Sequence, residues 1–270
     1  MSTVKIKRKK QDVIKSLKEG NEVLSFSSFS RFLDSPLDFM RYKTEVFEPT
    51  EAMNLGSYFH ALLLEPETVG NRFAVLPKYD KRNKEQKQKY LDFMEANEGK
   101  TIIPEAKAEY GKILLADFDR NDTVSWLFSL ISEKEKRVEW EAFGFKWIGY
   151  LDAIGQIIFD LKKVQSATTQ KMRWEIRHKK LLLQAAFYTI GAGFDKDYFI
   201  LAFDLDRKVC PIHLEKPWLE QTWSNMEYYT MRFKQCIFLN QWNQSTEFWA
   251  KSGYYRYSQI SSGVTSLNKF

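Results

Sequence analysis

The sequence predicts an α/β protein, in which short strands form a sheet and amphipathic helices pack against it. The most informative stretch, residues 149–162, reads G-Y-L-D-A-I-G-Q-I-I-F-D-L-K. It contains two runs of β-branched and aromatic residues with a turn at Gly155, which is the usual signal of a hairpin. Residues 198–203 and 209–214 predict two further strands, joined by a turn near residues 206–207. Helical segments precede and follow these strands.

The predicted helices are recognised by apolar residues at helical spacing. In residues 53–65, for example, Leu55, Phe59 and Leu62 recur on one face, and Pro66 follows the end of the helix. Ser27 or Ser28 is the expected cap of the first helix. The predicted helices include residues 29–33, 53–65, 90–94, 105–114, 124–131, 170–192 and 218–238. A charged turn is expected at residues 133–137 and a strand at residues 138–145.

The composition is that of a globular protein. Of the 270 residues, 44% are hydrophobic and 16% are aromatic, which argues against a disordered chain. There are 41 basic and 35 acidic residues, and the resulting net charge of +6 permits a polyanionic partner without demanding one.

Cysteine content and hydropathy indicate the cellular compartment of the protein. Cys210 and Cys236 are the two cysteines of the sequence, with no C-x-x-C motif, which argues against a disulfide scaffold or a zinc site. No apolar run approaches the length of a membrane span, and no signal-peptide core opens the sequence. These observations predict a cytoplasmic protein.

The expected domain organisation is simple. Residues 1–20, which include the run K-I-K-R-K-K, predict a basic N-terminal tail. Residues 21–245 predict a single domain, and residues 246–270 a polar C-terminal tail. We find no internal repeat.

The predicted hairpin carries three charged residues that suggest chemistry. Alternation along a strand places Asp160 and Lys162 on one face, while Leu161 points into the core. Asp152 lies on the preceding strand. Two neighbouring carboxylates repel each other unless a cation neutralises them, and hard oxygen ligands suit Mg²⁺ or Mn²⁺. A lysine beside them could stabilise charge on a phosphate. Solvated hairpins carry such charges too, so this pattern alone leaves both interpretations open.

Two helices carry further candidates. Gly56 and His60 are four residues apart and share a face, although a lone histidine beside an apolar face is more often part of the core. Gln184 and Tyr188 are also four apart, within an otherwise apolar section, which favours a polar face turned into a cleft.

The strand predicted at residues 138–145 alternates, with Val138 and Trp140 on one face and Glu139 and Glu141 on the other. Either glutamate could stand near the aspartates, and solvent exposure explains them equally well. The basic segment at residues 77–89 predicts a solvated face or a DNA-lining surface.

The order of these motifs resembles that of the PD-(D/E)xK nucleases, which have the restriction-endonuclease-like fold. Four motifs follow one another along the chain: a helix with G-S-Y-F-H-A-L-L-L-E-P-E, a strand with L-D, a strand with F-D-L-K and a helix with Q-A-A-F-Y. More narrowly, the chain resembles the RecE (exonuclease VIII) type of phage exonuclease. Two further segments carry this resemblance, S-F-S-S-F-S-R-F-L-D-S-P and the basic Y-D-K-R-N-K. The resemblance covers residues 24–240 and implies a central mixed sheet flanked by helices.

The resemblance also implies which residues form the site. The implied metal ligands are His60, Asp152, Asp160 and the backbone carbonyl of Leu161, the catalytic lysine is Lys162, the supporting polar pair is Gln184 and Tyr188, and the upstream acid is Glu139 or Glu141. One position departs from the pattern, because Lys163 stands where a small hydroxyl residue is commoner.

The implied function is Mg²⁺- or Mn²⁺-dependent hydrolysis of DNA phosphodiester bonds. Members of the RecE type degrade one strand of linear double-stranded DNA from its 5′ end and leave 3′ single-stranded tails for recombination. They act as ring-shaped homo-oligomers with a RecT-like single-strand annealing protein. The resemblance implies the same substrate and partners here, in a phage or prophage protein.

Three alternatives stay open. A Cas4-like nuclease commonly holds an iron–sulfur cluster with four cysteines, and two cysteines argue against it. A restriction endonuclease of the same fold would differ in cutting a specific sequence. A catalytically silent DNA-binding or assembly module would keep the fold without turnover.

Overall fold

The computed structural model describes residues 8–79 and 82–243. Their strands are β1 (Val23–Ser25), β2 (Phe73–Leu76), β3 (Thr101–Pro104), β4 (Ile131–Ala142), β5 (Phe145–Gly155), β6 (Ile158–Lys163), β7 (Tyr198–Phe203) and β8 (Val209–Leu214). The chain forms two compact units, and strands β4 and β5 contribute residues to both. In the described part of the chain, the first unit contains residues 48–138 and 149–224, and the second contains residues 8–47, 139–148 and 225–243.

The helices are interspersed with these strands along the chain. They are α1 (Lys10–Lys18), α2 (Phe26–Asp34), α3 (Pro36–Thr44), α4 (Glu51–Leu64), α5 (Val69–Arg72), α6 (Lys84–Ala96), α7 (Glu105–Asp119), α8 (Asp122–Ser129), α9 (Thr169–His178), α10 (Leu181–Ala186) and α11 (Lys216–Leu239). A 3₁₀ turn at Pro66–Thr68 follows α4, and a π-helical turn at Phe187–Gly191 follows α10. None of the helices in the described ranges is both long and apolar enough to cross a membrane.

The first unit is built on a mixed sheet. Strand β6 pairs antiparallel with β5 and parallel with β7, and β7 pairs antiparallel with β8. Residues 158–161 of β6 and most of β7 are buried, which agrees with their nearly continuous apolar sequence. An antiparallel partner on each side of a parallel pair makes the sheet mixed, as the sequence predicted.

Helix α4 packs against this sheet through Phe59. The Phe59 ring is fully buried and makes edge contacts with Tyr110 of α7 and Phe203 of β7, at centroid distances of 5.6 Å and 5.9 Å. Strands β2 and β3 form a separate parallel pair. Because Phe59 is held in the core, the next residue, His60, is held at the edge of the core.

The second unit has an aromatic core. Trp147 of β5 and Phe233 of α11 both pack against Phe29 of α2, at centroid distances of 5.3 Å and 5.7 Å. Strand β1 pairs parallel with the first half of β5. Glu22 is buried, and it pairs with Arg8 at 2.9 Å and Lys43 at 2.8 Å, which satisfies its charge.

Most of the elements predicted from the sequence are confirmed. The hairpin turns at Gly155, strands β7 and β8 have the predicted bounds, and the helices at residues 53–65 and 218–238 correspond to α4 and α11. The expected cap of this helix, Ser27 or Ser28, is wrong: Ser25 caps α2 by accepting a hydrogen bond from the Ser28 backbone N–H.

Four local predictions are wrong. The helix expected at residues 170–192 is broken, because Lys180 has a φ of 57° and cannot continue an α-helix. The charged turn at residues 133–137 lies inside strand β4. The strand expected at residues 138–145 ends at Ala142, because Phe143 and Gly144 both have positive φ and form a turn. Helix α1, with Val13 and Leu17 buried, lies in the segment expected to be a tail. The polar tail at residues 246–270 lies outside the described residues.

Candidate active site

His60 joins two acids of the first unit. Its Nε2 lies 3.2 Å from Asp152 Oδ2, and its Nδ1 lies 3.3 Å from Glu135 Oε1. The histidine comes from α4, Glu135 from β4 and Asp152 from β5, so three separate elements meet at one imidazole. The side chains are partly exposed, at 23% for His60, 19% for Asp152 and 35% for Glu135, so a ligand can reach them.

The hairpin brings the second acid beside the first. Ala153 pairs with Phe159 in the β5–β6 register, and Asp152 and Asp160 are the next residues along the two strands. Asp152 Oδ2 also accepts a hydrogen bond of 2.7 Å from the backbone N–H of Leu161. Strand pairing therefore sets the separation of the two carboxylates.

Asp160 and Lys162 form a close pair, as expected for residues on the same face of β6. Lys162 Nζ donates to Asp160 Oδ1 at 2.8 Å, and the Asp160 side chain is 6% exposed. Asp160 Oδ2 is buried and has no hydrogen-bond partner among the described residues. A buried carboxylate oxygen without a partner is costly, which indicates that a ligand completes the site.

Burial and neighbouring charge shift the ionisation of this pair. Burial, together with the charge of Asp152, raises the pKa of Asp160 to about 6, although Lys162 opposes the shift. Burial acts to lower the pKa of Lys162, but the charges of Asp160 and Asp152 outweigh it and raise that pKa. Lys162 is therefore held as a cation at neutral pH.

Burial and neighbouring charge also compete in setting the pKa values of His60 and its two acids. Burial opposes the charged imidazole, yet the hydrogen bond and charge of Asp152 raise the pKa of His60. Burial also opposes ionisation of Asp152, but His60 and Lys162 lower the pKa of that carboxyl. Burial raises the pKa of Glu135, and the charge of Asp152 adds to the shift. Negative charge is thus concentrated around one imidazole.

The Tyr188 ring packs closely against Gly149 of strand β5, where no larger residue would fit beside it. A Cβ on Gly149 would lie 2.4 Å from Tyr188 Cε1, so any larger residue at position 149 would displace the ring. Burial and the charge of Asp160 raise the pKa of Tyr188 to about 12, while a hydrogen bond with Gln184 opposes the shift. Gln184 lies on α10, and Tyr188 follows in the π-helical turn, where such turns often mark functional sites.

The donor set fits a divalent metal ion. Ligand atoms of His60, Glu135 and Asp152 all lie within 4.8 Å of one another. Imidazole nitrogen with carboxylate oxygens suits Mn²⁺, and the carboxylates suit Mg²⁺ as well. Asp160 is not part of this group of three, but its buried Oδ2, which has no hydrogen-bond partner among the described residues, would be a further candidate ligand. The residues present therefore fit the metal that the fold implies.

One acid of this cluster was missed by the sequence analysis. Glu135 lies in the charged run E-K-E-K-R, which was interpreted as a turn, and its φ of 49° interrupts the alternation of strand β4. Glu139 and Glu141, the two acids singled out from the sequence, lie further along β4, are exposed and belong to the second unit. The structure shows Leu161 contributing its N–H to Asp152.

A mixed sheet flanked by helices, with a hairpin that carries Asp152, Asp160 and Lys162, defines the PD-(D/E)xK fold. The chain belongs to the family described as "PDDEXK-like domain of unknown function (DUF3799)", whose family model matches residues 25–245. This membership confirms the fold and the superfamily expected from the sequence motifs.

One solved structure agrees on the fold. The crystal structure of a "Putative exonuclease" from Eubacterium rectale aligns with 96% of this chain and 100% of its own, at 14% identity and a TM-score of 0.57. A second structure, SSO0001, aligns with 60% of this chain and 78% of its own, at 18% identity and a TM-score of 0.25, which does not indicate a shared fold. No curated protein matches the chain.

Proposed function

We propose that this protein is a metal-dependent exodeoxyribonuclease. The observation that carries the proposal is the pairing of Lys162 with Asp160, which lies beside Asp152 on the neighbouring strand of the hairpin. Membership of a PDDEXK-like family supports it, because these are the acids and the lysine from which such domains take their name. Glu135 takes the place of the upstream acid that the sequence analysis assigned to Glu139 or Glu141.

The metal would be held by His60, Asp152, Asp160 and Glu135, and when bound it lowers the pKa of a coordinated water and polarises the phosphate. Lys162 stays protonated, and its ammonium group, which pairs with Asp160, would stabilise the negative charge that develops on the scissile phosphate. Tyr188 stays protonated as well, and its hydrogen bond with Gln184 orients the hydroxyl beside this charge. No serine or cysteine nucleophile is required.

The proposed substrate is linear double-stranded DNA, degraded from the 5′ end to leave 3′ single-stranded tails for recombination. The motifs shared with the RecE type support this polarity. The name of the Eubacterium rectale protein, "Putative exonuclease", supports exonuclease activity in general and says nothing of polarity. On the same basis we propose a ring-shaped homo-oligomer, a RecT-like annealing partner and a phage or prophage origin. Mass photometry of the full chain tests the oligomer, and a single monomer peak at micromolar concentration would argue against a ring.

The decisive experiment uses a linear duplex labelled separately at its 5′ and 3′ ends, with a covalently closed circle of the same sequence. Wild type, Lys162→Ala and Lys163→Ala are compared with Mg²⁺, with Mn²⁺ and with EDTA. We expect metal-dependent loss of the 5′ label by wild type and no cutting of the circle. Lys162→Ala should reduce the rate by roughly 10²- to 10³-fold, because it removes a fixed charge from the site. Lys163→Ala is the matched control and should retain activity.

Each of the other possible results of this experiment would support a different class of protein. Cutting of the closed circle at one sequence would indicate a restriction-type endonuclease. Binding of DNA without turnover in any divalent metal would refute the enzyme proposal and leave the DNA-binding module. A Cas4-like cluster needs four cysteines, whereas the two in this sequence, Cys210 and Cys236, lie in different compact units.

A further inference from the structure

Helix α9 presents a strongly basic surface. Residues 169–180 contain five basic side chains and one acid, Glu175. The Glu175 side chain is 4% exposed and pairs with Lys179 at 2.5 Å, so it does little to neutralise the outer face. Arg173 and Arg177 are exposed and four residues apart, and therefore lie on the same side of the helix.

An exposed aromatic stack lies on the same helix. Trp174 is 46% exposed, and its ring is nearly parallel to that of His178, with a centroid distance of 4.3 Å and an interplanar angle of 13°. His178 Nδ1 lies 2.8 Å from the Trp174 carbonyl oxygen, which holds the imidazole against the indole. Lys171 Nζ lies 4.6 Å from the centroid of the Trp174 ring. The stack is thus pre-organised between cations.

We propose that this surface, formed by Lys171, Arg173, Trp174, Arg177 and His178, binds single-stranded DNA. Cations interleaved with planar rings fit a polyanion whose bases are free to stack. In a duplex the base faces are already stacked on one another, so the aromatic pair distinguishes the unpaired strand from the duplex. This inference deepens the proposed function, because resection of a duplex end produces such a strand.

The position of α9 in the chain supports this assignment. Five residues separate the end of β6, which carries Lys162, from the start of α9, and Gln184 follows on α10. The left-handed conformation of Lys180 separates α9 from α10, so the basic helix and the helix that carries Gln184 are distinct elements. Residues of the candidate active site therefore precede and follow the proposed surface.

The test measures binding of the full-length protein to a fluorescent dT oligonucleotide and to a blunt duplex, by anisotropy in EDTA. We expect Trp174→Ala to raise the Kd for the dT oligonucleotide about tenfold, because one stacked base is lost. The Kd for the duplex should change less than twofold. Replacing Lys171 and Arg177 with Gln should weaken binding of the dT oligonucleotide and reduce its salt slope by about 1.4, since two phosphate contacts are removed.

The matched control is Trp126→Ala, because Trp126 is 50% exposed on α8 of the same unit. An unchanged Kd for the dT oligonucleotide in Trp174→Ala, or an equal loss in Trp126→Ala, would overturn the proposal. Thermal melting verifies that each variant is folded. Because the assay needs no metal and no cleavage, a failure here is distinguishable from failure of the nuclease proposal. A protein that binds the dT oligonucleotide through Trp174 but never cuts DNA would refute only the latter.

Discussion

At the scale of single residues, the site depends on a histidine that contacts two acids. His60 reaches Asp152 through one ring nitrogen and Glu135 through the other. Each acid raises the pKa of the imidazole against the effect of burial. A metal ion requires a neutral imidazole as its ligand, so metal binding and protonation of His60 compete for the same nitrogen.

Glu135→Gln tests the acid that the sequence did not single out. We expect the Mn²⁺ concentration at half-maximal cleavage to rise by roughly 10- to 100-fold, because an amide oxygen binds a metal less strongly than a carboxylate. Glu139→Gln and Glu141→Gln are the matched controls on the same strand. If either control has the larger effect, the acid of the site is the one expected from the sequence.

Gly149→Ala tests the contact with Tyr188. The added methyl group would lie 2.4 Å from the ring, so we expect a loss of about 1–3 kcal/mol in the free energy of unfolding, together with slower cleavage. Gly70→Ala is the control, since a Cβ there meets no atom within 4 Å, and it should stabilise α5 by up to about 1 kcal/mol. Equal urea midpoints for the two variants would show that the Tyr188 ring adjusts without cost.

At the scale of elements, the turn between β7 and β8 is organised by one buried carboxylate. Asp204 is fully buried, and it accepts hydrogen bonds from the backbone N–H groups of Ala167, Asp206 and Lys208, at 2.7, 2.9 and 3.0 Å. Burial opposes its ionisation, but these three donors lower the pKa of Asp204. The carboxylate thereby joins the end of β7, the following turn and the segment before α9.

Asp204 should make the protein sensitive to acid. Because its pKa is lowered on folding from the usual value of about 3.9, its contribution is complete above that value and is lost as the pH falls through the folded pKa. Asp204→Ala should cost about 1.5–3 kcal/mol at pH 7 and flatten the decline of stability below pH ~4. Urea unfolding from pH 7 to pH 3 measures both effects. Asp206→Ala, an exposed carboxylate of the same turn, should leave the pH dependence unchanged.

At the scale of the whole molecule, the candidate site lies entirely within the first unit. All of its residues lie in the ranges 48–138 and 149–224; they are His60, Glu135, Asp152, Asp160 and Lys162. The second unit has its own aromatic core around Phe29, Trp147 and Phe233. That residues 21–245 form a single domain remains a prediction. The family model matches residues 25–245, but this match does not show whether the two units unfold together or separately.

Divalent metal should stabilise the folded protein. At a Mn²⁺ concentration 100 times the Kd, the free energy of unfolding should rise by about 2.7 kcal/mol, because the unfolded chain does not assemble the site. Melting of wild type with Mn²⁺ and with EDTA measures the shift in Tm. Asp160→Ala should abolish the shift and Asp206→Ala should preserve it. The same shift in both variants would place the bound metal elsewhere.

Elements with strong local periodicity could be predicted from the amino-acid sequence. Hairpin β5–β6 was predictable because Gly155 separates two apolar runs, and alternation placed Asp160 and Lys162 on one face. The motif order was also sufficient to indicate the fold class. His60, Gln184 and Tyr188 were identified through their helical spacing and the family resemblance, although spacing alone did not show what they contact.

Features that depend on unusual backbone conformation or on distant contacts could be seen only in the folded protein. Lys180 and Glu135 adopt positive φ, which is uncommon for such residues and has no signature in the sequence, so the break after α9 and the role of Glu135 were missed. The contact of His60 with Asp152 joins residues 92 positions apart, and local patterns cannot specify such a pairing. The packing of α4 on the sheet through Phe59 brings these residues together.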